Sequence, residues 1–139
     1  MDCFIGRGIF VKILLAEDDK NVAVISKMAL EKIGGHDVEW VQNGEEALEK
    51  ALTNTYDLII LDEMMPKMNG IKACQQIRLK DTNNTPIIFL SAKNQPEDIE
   101  NFLSIGDGHI PKPFNPSTLC TIIDETLTNL QGYESAKTG

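Results

Sequence analysis

Five parallel strands between two layers of helices, a doubly wound (βα)5 three-layer sandwich, is the α/β fold that the sequence predicts. Three observations carry that prediction. Short apolar runs alternate along the chain with longer segments of helical periodicity. Two of those runs, around 58–61 and 86–90, are apolar at nearly every position, as suits strands buried on both faces. The intervening loops are short, and right-handed crossovers between parallel strands then lay the helices on the two faces of one sheet.

The elements follow in order. Val11 to Ala16 is the first strand, stopped by Glu17, Asp18 and Asp19. Residues 20–33 are a helix with Val22, Ile25, Met28, Ala29, Lys32 and Ile33 as its expected inner stripe, ended by Gly34 and Gly35. Asp37 to Val41 alternates as a second strand, and Asn43 caps a helix from Glu45 to about Leu52. A third strand, Asp57 to Asp62, precedes a helix from Gly70 to Lys80 with Ile71, Ala73, Cys74, Ile77 and Arg78 facing inward. Pro86 to Ala92 is the fourth strand. Pro96, suited to a first helical turn, opens a helix that Gly106, Asp107 and Gly108 stop. His109 to Pro111 is a short fifth strand, and the last helix, about Pro116 to Gln131, is expected to carry Leu119, Ile122, Ile123, Thr126, Leu127 and Leu130 inward, with Leu119, Cys120, Ile123 and Leu127 as its core stripe. Residues 1–10 are expected to be an N-terminal extension, 11–131 one domain, and 132–139 a flexible tail.

Composition narrows the function classes. With 21 acidic and 13 basic residues the formal net charge is −8, which repels a phosphate backbone, so direct nucleic-acid contact is not expected. No apolar run approaches the roughly 20 residues that cross a bilayer, and no membrane association is expected. Cys3, Cys74 and Cys120 are odd in number and far apart, which fits reduced thiols in a cytoplasmic protein better than a disulfide scaffold or a zinc site.

Charge gathers at one edge of such a sheet. Glu17 and Asp18 follow the first strand, Asp62 closes the third, Ser91 ends the fourth and Lys112 follows the fifth. In an open parallel sheet, ligands bind at the carboxyl ends of the strands. Three carboxylates brought together repel unless a cation neutralises them, and hard oxygen donors with room for water suit Mg2+. Asp62 is then placed as a nucleophile toward a phosphoryl group, with the Lys112 ammonium and the metal neutralising the transferred oxygens and Ser91 hydrogen-bonding another. Each acid taken singly could be a helix cap or a solvated loop residue; together, at the same ends of successive strands, they form a site.

Four ordered stretches, Leu14-Leu15-Ala16-Glu17-Asp18-Asp19, Asp62 to Gly70, Phe89-Leu90-Ser91-Ala92-Lys93 and Ile110-Pro111-Lys112-Pro113-Phe114, resemble the receiver domain of two-component response regulators over residues 11 to about 130. The resemblance implies a flavodoxin-like fold and a phosphoacceptor switch of the chemotaxis-regulator kind. It makes Asp62 the phosphoacceptor, with Asp18, Asp62 and the Met64 main-chain carbonyl as Mg2+ ligands and Glu17 holding metal-bound water. Ser91 and Lys112 correspond to the phosphoryl-sensing pair. The donor would be a phosphohistidine on a sensor histidine kinase or phosphotransfer protein, and the output a changed surface near the fourth helix and fifth strand for a downstream protein target.

The sequence also departs from that family pattern. His109 stands where the family commonly has the tyrosine or phenylalanine of the switch, and the Gly106-Asp107-Gly108 loop is one residue short. Glu63 comes directly after the nucleophile as an extra acid, and strand alternation predicts that it is solvated. Met64 and Lys93, at the positions that tune water access, offer no carboxylate or amide to orient water, so autodephosphorylation is expected to be slow. The last helix, to Gln131, has no Lys or Arg, which argues for a monomer or weak dimer. The distance from that helix to Gly139 suggests a stand-alone switch. A module of a longer hybrid kinase or multidomain regulator, or a pseudo-receiver that binds without phosphorylation, are the alternatives; an aspartyl-nucleophile phosphatase would want a second acid at position 64, which is Met64.

Overall fold

The computed structural model describes residues 11–81 and 83–138; the expected N-terminal extension lies outside them. The strands are β1 (Lys12–Ala16), β2 (Asp37–Val41), β3 (Leu58–Asp62), β4 (Ile87–Ser91) and β5 (Gly108–Pro111). They form one parallel sheet in the order β2-β1-β3-β4-β5. The helices are α1 (Lys20–Met28), α2 (Gly44–Thr53), α3 (Gly70–Lys80), α4 (Pro96–Ile105) and α5 (Pro116–Thr138). Strand order reverses between β1 and β3. The connections from those two strands leave in opposite directions, opening a crevice at their carboxyl ends.

Alternation along the central strands splits the core into two layers. Leu58 and Ile60 of β3 pack with Ile13, Leu15, Ile88, Leu90, Leu119 and Ile123 on the α1 and α5 side. Ile59 and Leu61 pack with Leu14, Ala47, Ile77, Phe89 and Phe102 on the side of α2, α3 and α4. Every residue of β3 and β4 is buried, as the unbroken apolar runs predict. Helix starts also match the sequence. Asn43 and Asn69 each accept a main-chain N–H bond at the N-termini of α2 and α3, and Pro96 lies in the first turn of α4.

Three local expectations are corrected. First, the inner face of α1 is rotated. Ala23, Ser26, Ala29 and Leu30 are buried, whereas Ile25 and Met28, 48% and 54% exposed, face outward. Ser26 can enter the core because its hydroxyl donates to the Val22 carbonyl at 2.7 Å, and a hydrophobicity pattern does not anticipate a polar group satisfied by its own helix. Second, the helix does not continue regularly to residue 33. Ala29–Ile33 is a π-helical turn in which Gly34 N–H reaches back to the Ala29 carbonyl at 3.2 Å. Third, α5 runs to Thr138, past the expected helix end at Gln131.

Candidate functional site

Asp62 ends β3 opposite Leu90 of β4, and the ladder continues one step further where Glu63 N–H donates to the Leu90 carbonyl at 2.9 Å. Just beyond β1, Glu17 N–H donates to Val41 O at 3.0 Å, so both acids leave the sheet with their backbones held. The β3–α3 loop turns back sharply because Gly70 starts α3 directly against Asp62: a Cβ at Gly70 would meet the Asp62 carbonyl oxygen. From the far side, Lys112 N–H donates to Ser91 O at 2.9 Å, which aims the lysine side chain across the strand ends.

These supports bring the sequence-identified charges together. Lys112 Nζ lies 2.7 Å from Asp62 Oδ1 and 2.8 Å from Glu17 Oε1. The second Glu17 oxygen accepts from Asp19 N–H at 3.1 Å, and the Glu17 carbonyl accepts from Trp40 Nε1 at 2.8 Å. Asp19 itself caps α1 through the N–H groups of Asn21 and Val22. Carboxylate oxygens from Glu17, Asp18 and Asp62 lie within 4.8 Å of one another. Glu17 is wholly buried and Asp62 5% exposed, whereas Asp18 is open to solvent.

Burial is the largest influence on the Asp62 carboxyl and pushes its pKa up to about 7; the nearby Glu17 charge adds to this, and the Lys112 hydrogen bond only partly offsets it. Burial also opposes the charge on Lys112, but its hydrogen bond to Asp62 and the adjacent Glu17 carboxylate prevail and raise its pKa. A carboxylate whose charged form is disfavoured by burial and by a neighbouring acid is one that a cation would relieve. The three oxygen donors, one solvent-exposed, fit a hard ion that keeps several waters, as Mg2+ does.

The acids, Ser91, Lys112, Met64, Ala92 and Lys93 line one cleft of about 260 Å³. Ser91 is buried, and its hydroxyl oxygen accepts from Lys93 N–H at 2.9 Å. Met64 is 67% exposed at the rim. His109 sits behind the β4–α4 loop, stacked on Phe102 with centroids 5.1 Å apart and planes at 16°. Burial lowers its pKa, against an opposite pull from the backbone of Ser91 and Lys93. Its Nε2 is buried without a hydrogen-bond partner.

Glu63 contradicts the sequence expectation. It is not solvated but 8% exposed, with Oε1 3.3 Å from Lys93 Nζ. Alternation is the wrong guide because β3 ends at Asp62, and past a strand end the side-chain direction is set by the turn. Sequence reasoning also missed an apolar groove of about 330 Å³ beside the cleft, lined by Val22, Ile25, Ala92, Lys112, Pro113 and Phe114. Its signal lay in the apolar residues of α1, which periodicity alone assigns to the core.

Comparison with known proteins agrees with this architecture. The sequence profile described as response regulator receiver domain matches residues 13–124. Response regulator ArlR of Staphylococcus saprophyticus is 46% identical over 117 residues, covering 84% of this chain and 52% of that protein. The receiver domain of the Francisella response regulator 1452 superposes with a TM-score of 0.77 at 36% identity, covering 87% of this chain and 98% of that one. The receiver domain of sensor histidine kinase PA1611 from Pseudomonas aeruginosa, which holds a magnesium ion in its active-site cleft, gives 0.75 at 28% identity, covering 89% and 99%. The chain spans about half the length of the curated relatives it matches, and several of these bear the name transcriptional regulatory protein. The expectation of no nucleic-acid contact therefore concerns the acidic domain alone and does not extend to a longer regulator.

Proposed function

The chain belongs to the response regulator receiver domain family, and on that premise we propose that it is a phosphoacceptor switch in which Asp62 takes a phosphoryl group from a phosphohistidine. The observation that carries this reading is the Asp62 carboxylate at the sheet's topological switch point, held at 2.7 Å by Lys112 and within reach of two further acids. An Asp62 oxygen attacks phosphorus as the phosphorus–nitrogen bond breaks; the electron pair leaves with the imidazole, which takes a proton from solvent. Lys112 then faces the developing charge on the phosphoryl oxygens, and the Ser91 hydroxyl donates to another of them.

Asp18, Asp62 and the Met64 carbonyl would hold Mg2+, which when bound neutralises charge on the transferred group. Glu17 Oε2 already accepts from Asp19 N–H, and Oε1 is paired in charge with Lys112 but keeps free accepting capacity, which favours Glu17 accepting from metal-bound water over direct ligation. The bond between Ser91 Oγ and Lys93 N–H couples any movement of Ser91 to the β4–α4 loop, under which the His109 ring lies. The phosphorylated arrangement would differ near α4 and β5, biasing an equilibrium between two surfaces.

The apolar groove beside the cleft shares Ala92 and Lys112 with the site and fits a protein donor, a sensor histidine kinase or phosphotransfer protein, which presents its phosphohistidine at the cleft mouth. Downstream action is either contact with a protein target or control of an output region in a longer regulator. The second reading is favoured by relatives of about twice the matched length that carry transcriptional names.

Incubation with a small acyl-phosphate donor and Mg2+, followed by intact mass measurement, tests the phosphoacceptor reading. Wild type is expected to gain one phosphoryl group and Asp62→Ala none. A wild type that gains no mass under conditions that phosphorylate another receiver overturns it.

A further inference from the structure

Glu63 and Lys93 belong to different loops, β3–α3 and β4–α4, yet their side chains meet at 3.3 Å over the cleft that holds Asp62. Glu63 is a nearly buried carboxylate whose Oε1 makes no hydrogen bond, so the Lys93 ammonium is the charge that offsets its desolvation. The Lys93 backbone is pinned by its N–H bond to Ser91 Oγ, and from there its side chain reaches from the β4–α4 loop to Glu63 on the β3–α3 loop. We propose that Glu63 and Lys93 form a latch across the mouth of the phosphoacceptor cleft, with Glu63 acting as a positioning residue that sets the hydrolysis rate through Lys93.

The proposal rests on the phosphoacceptor reading. Hydrolysis needs a water oxygen to bond to phosphorus opposite the Asp62 oxygen as the bond from phosphorus to that oxygen breaks. The electron pair returns to the Asp62 carboxylate and the water proton leaves with inorganic phosphate. The line of approach opposite Asp62 runs through the cleft, whose lining includes Glu63 and Met64 from one loop and Ala92 and Lys93 from the other. A lysine chain held across it obstructs that line. Pairing also occupies Glu63, the carboxylate at the mouth that would otherwise be available to orient attacking water.

The test measures loss of phosphoryl mass after removal of the donor, with Mg2+ present, for wild type, Glu63→Gln, Lys93→Ala, the double variant and Lys93→Arg. Each neutralising single variant is expected to lose its phosphoryl group about threefold faster, the scale of one part-exposed ion pair. The double variant should be no faster than the faster single, because both changes open one latch. Lys93→Arg should keep the wild-type rate. Ionic strength of about 1 M, where screening acts within about 3 Å, should speed wild type and leave the double variant unchanged. Phosphorylated singles that decay at the wild-type rate, multiplicative rates in the double variant, or equal salt responses overturn the latch alone. Absence of phosphoryl mass on wild type overturns it together with the reading it rests on.

Discussion

At the amino edge of the sheet Arg78 donates to the Thr85 carbonyl at 2.6 Å, to Asp107 Oδ2 at 2.9 Å and to the Ile105 carbonyl at 3.2 Å, whereas at the carboxyl edge Glu17, Asp62 and Lys112 crowd charge into one cleft. The amino edge spends its polar groups on structure. Asp107 Oδ2 also accepts from Ile87 N–H, Asp57 from Lys12 N–H, and His36 Nδ1 from Val11 N–H. At the carboxyl edge, Glu17 Oε1 and Glu63 Oε1 face lysine ammoniums outside hydrogen-bond geometry, and His109 Nε2 has no partner; these are the buried polar atoms left without a hydrogen bond among the described residues. Saturated polar networks rigidify, while unspent donors and acceptors are available to a ligand. One edge clasps the fold, and the other keeps capacity for a cation and a phosphoryl group.

The contrast can be broken most forcefully at the clasp. Arg78→Ala removes three hydrogen bonds, leaving the Ile105 carbonyl with only the weak Cys74 thiol donor and the Thr85 carbonyl without its arginine, so denaturant titration should show a loss of about 2–3 kcal/mol. The folded fraction should still accept phosphoryl at the wild-type rate, since Arg78 lies at the opposite edge. A stable variant with impaired phosphorylation would mean that the two edges are not independent.

Asp62→Asn should act in the reverse direction. The pKa of Asp62 rises from 3.8 to about 7 on folding, so the folded state binds more protons than the unfolded chain across that window. Stability from this group is present below pH 3.8 and is lost as pH rises through about 7. Without Mg2+ near neutral pH the amide should therefore raise the Tm, by about 3 °C once the solvent still reaching the cleft is allowed for. Mg2+ should stabilise wild type and lift the variant less. Calorimetry with and without the ion checks both signs.

The smallest effect belongs to His36. Burial lowers its pKa from 6.5, with the Asp124 charge opposing, so the fold binds fewer protons there than the unfolded chain. Stability falls as pH drops below 6.5, opposite in sign to Asp62. In Asp62→Asn, where the opposing slope is gone, Tm should drop by about 2 °C between neutral and mildly acid pH, and His36→Gln should flatten the remaining profile. An unchanged slope in His36→Gln would remove His36 from the account.

Much of this protein was legible because its site residues lie at strand ends. Asp62, Glu17, Asp18, Ser91 and Lys112 group themselves once the apolar runs are recognised and the residue closing or succeeding each run is read, and the structure brings them to one cleft. Apolar periodicity misplaces the inner face of α1, because an apolar residue on a helix need not point inward. Ile25 instead borders the groove by the site, while Ser26 is buried with its own helix satisfying it. Strand alternation misplaces Glu63 for a related reason, since the rule does not hold past the end of β3 at Asp62.

The sequence by itself determined the element order, the parallel sheet and the acids at its carboxyl edge, because periodicity, capping residues and punctuating glycines are local properties of the chain. Tertiary structure alone decided that Lys112 spans Glu17 and Asp62, that Arg78 reaches across to the loop before β5, and that Lys93 meets Glu63. Those pairings join residues far apart in the chain or on different loops, and their distances depend on how the strands stack and where each loop turns, which no local pattern encodes.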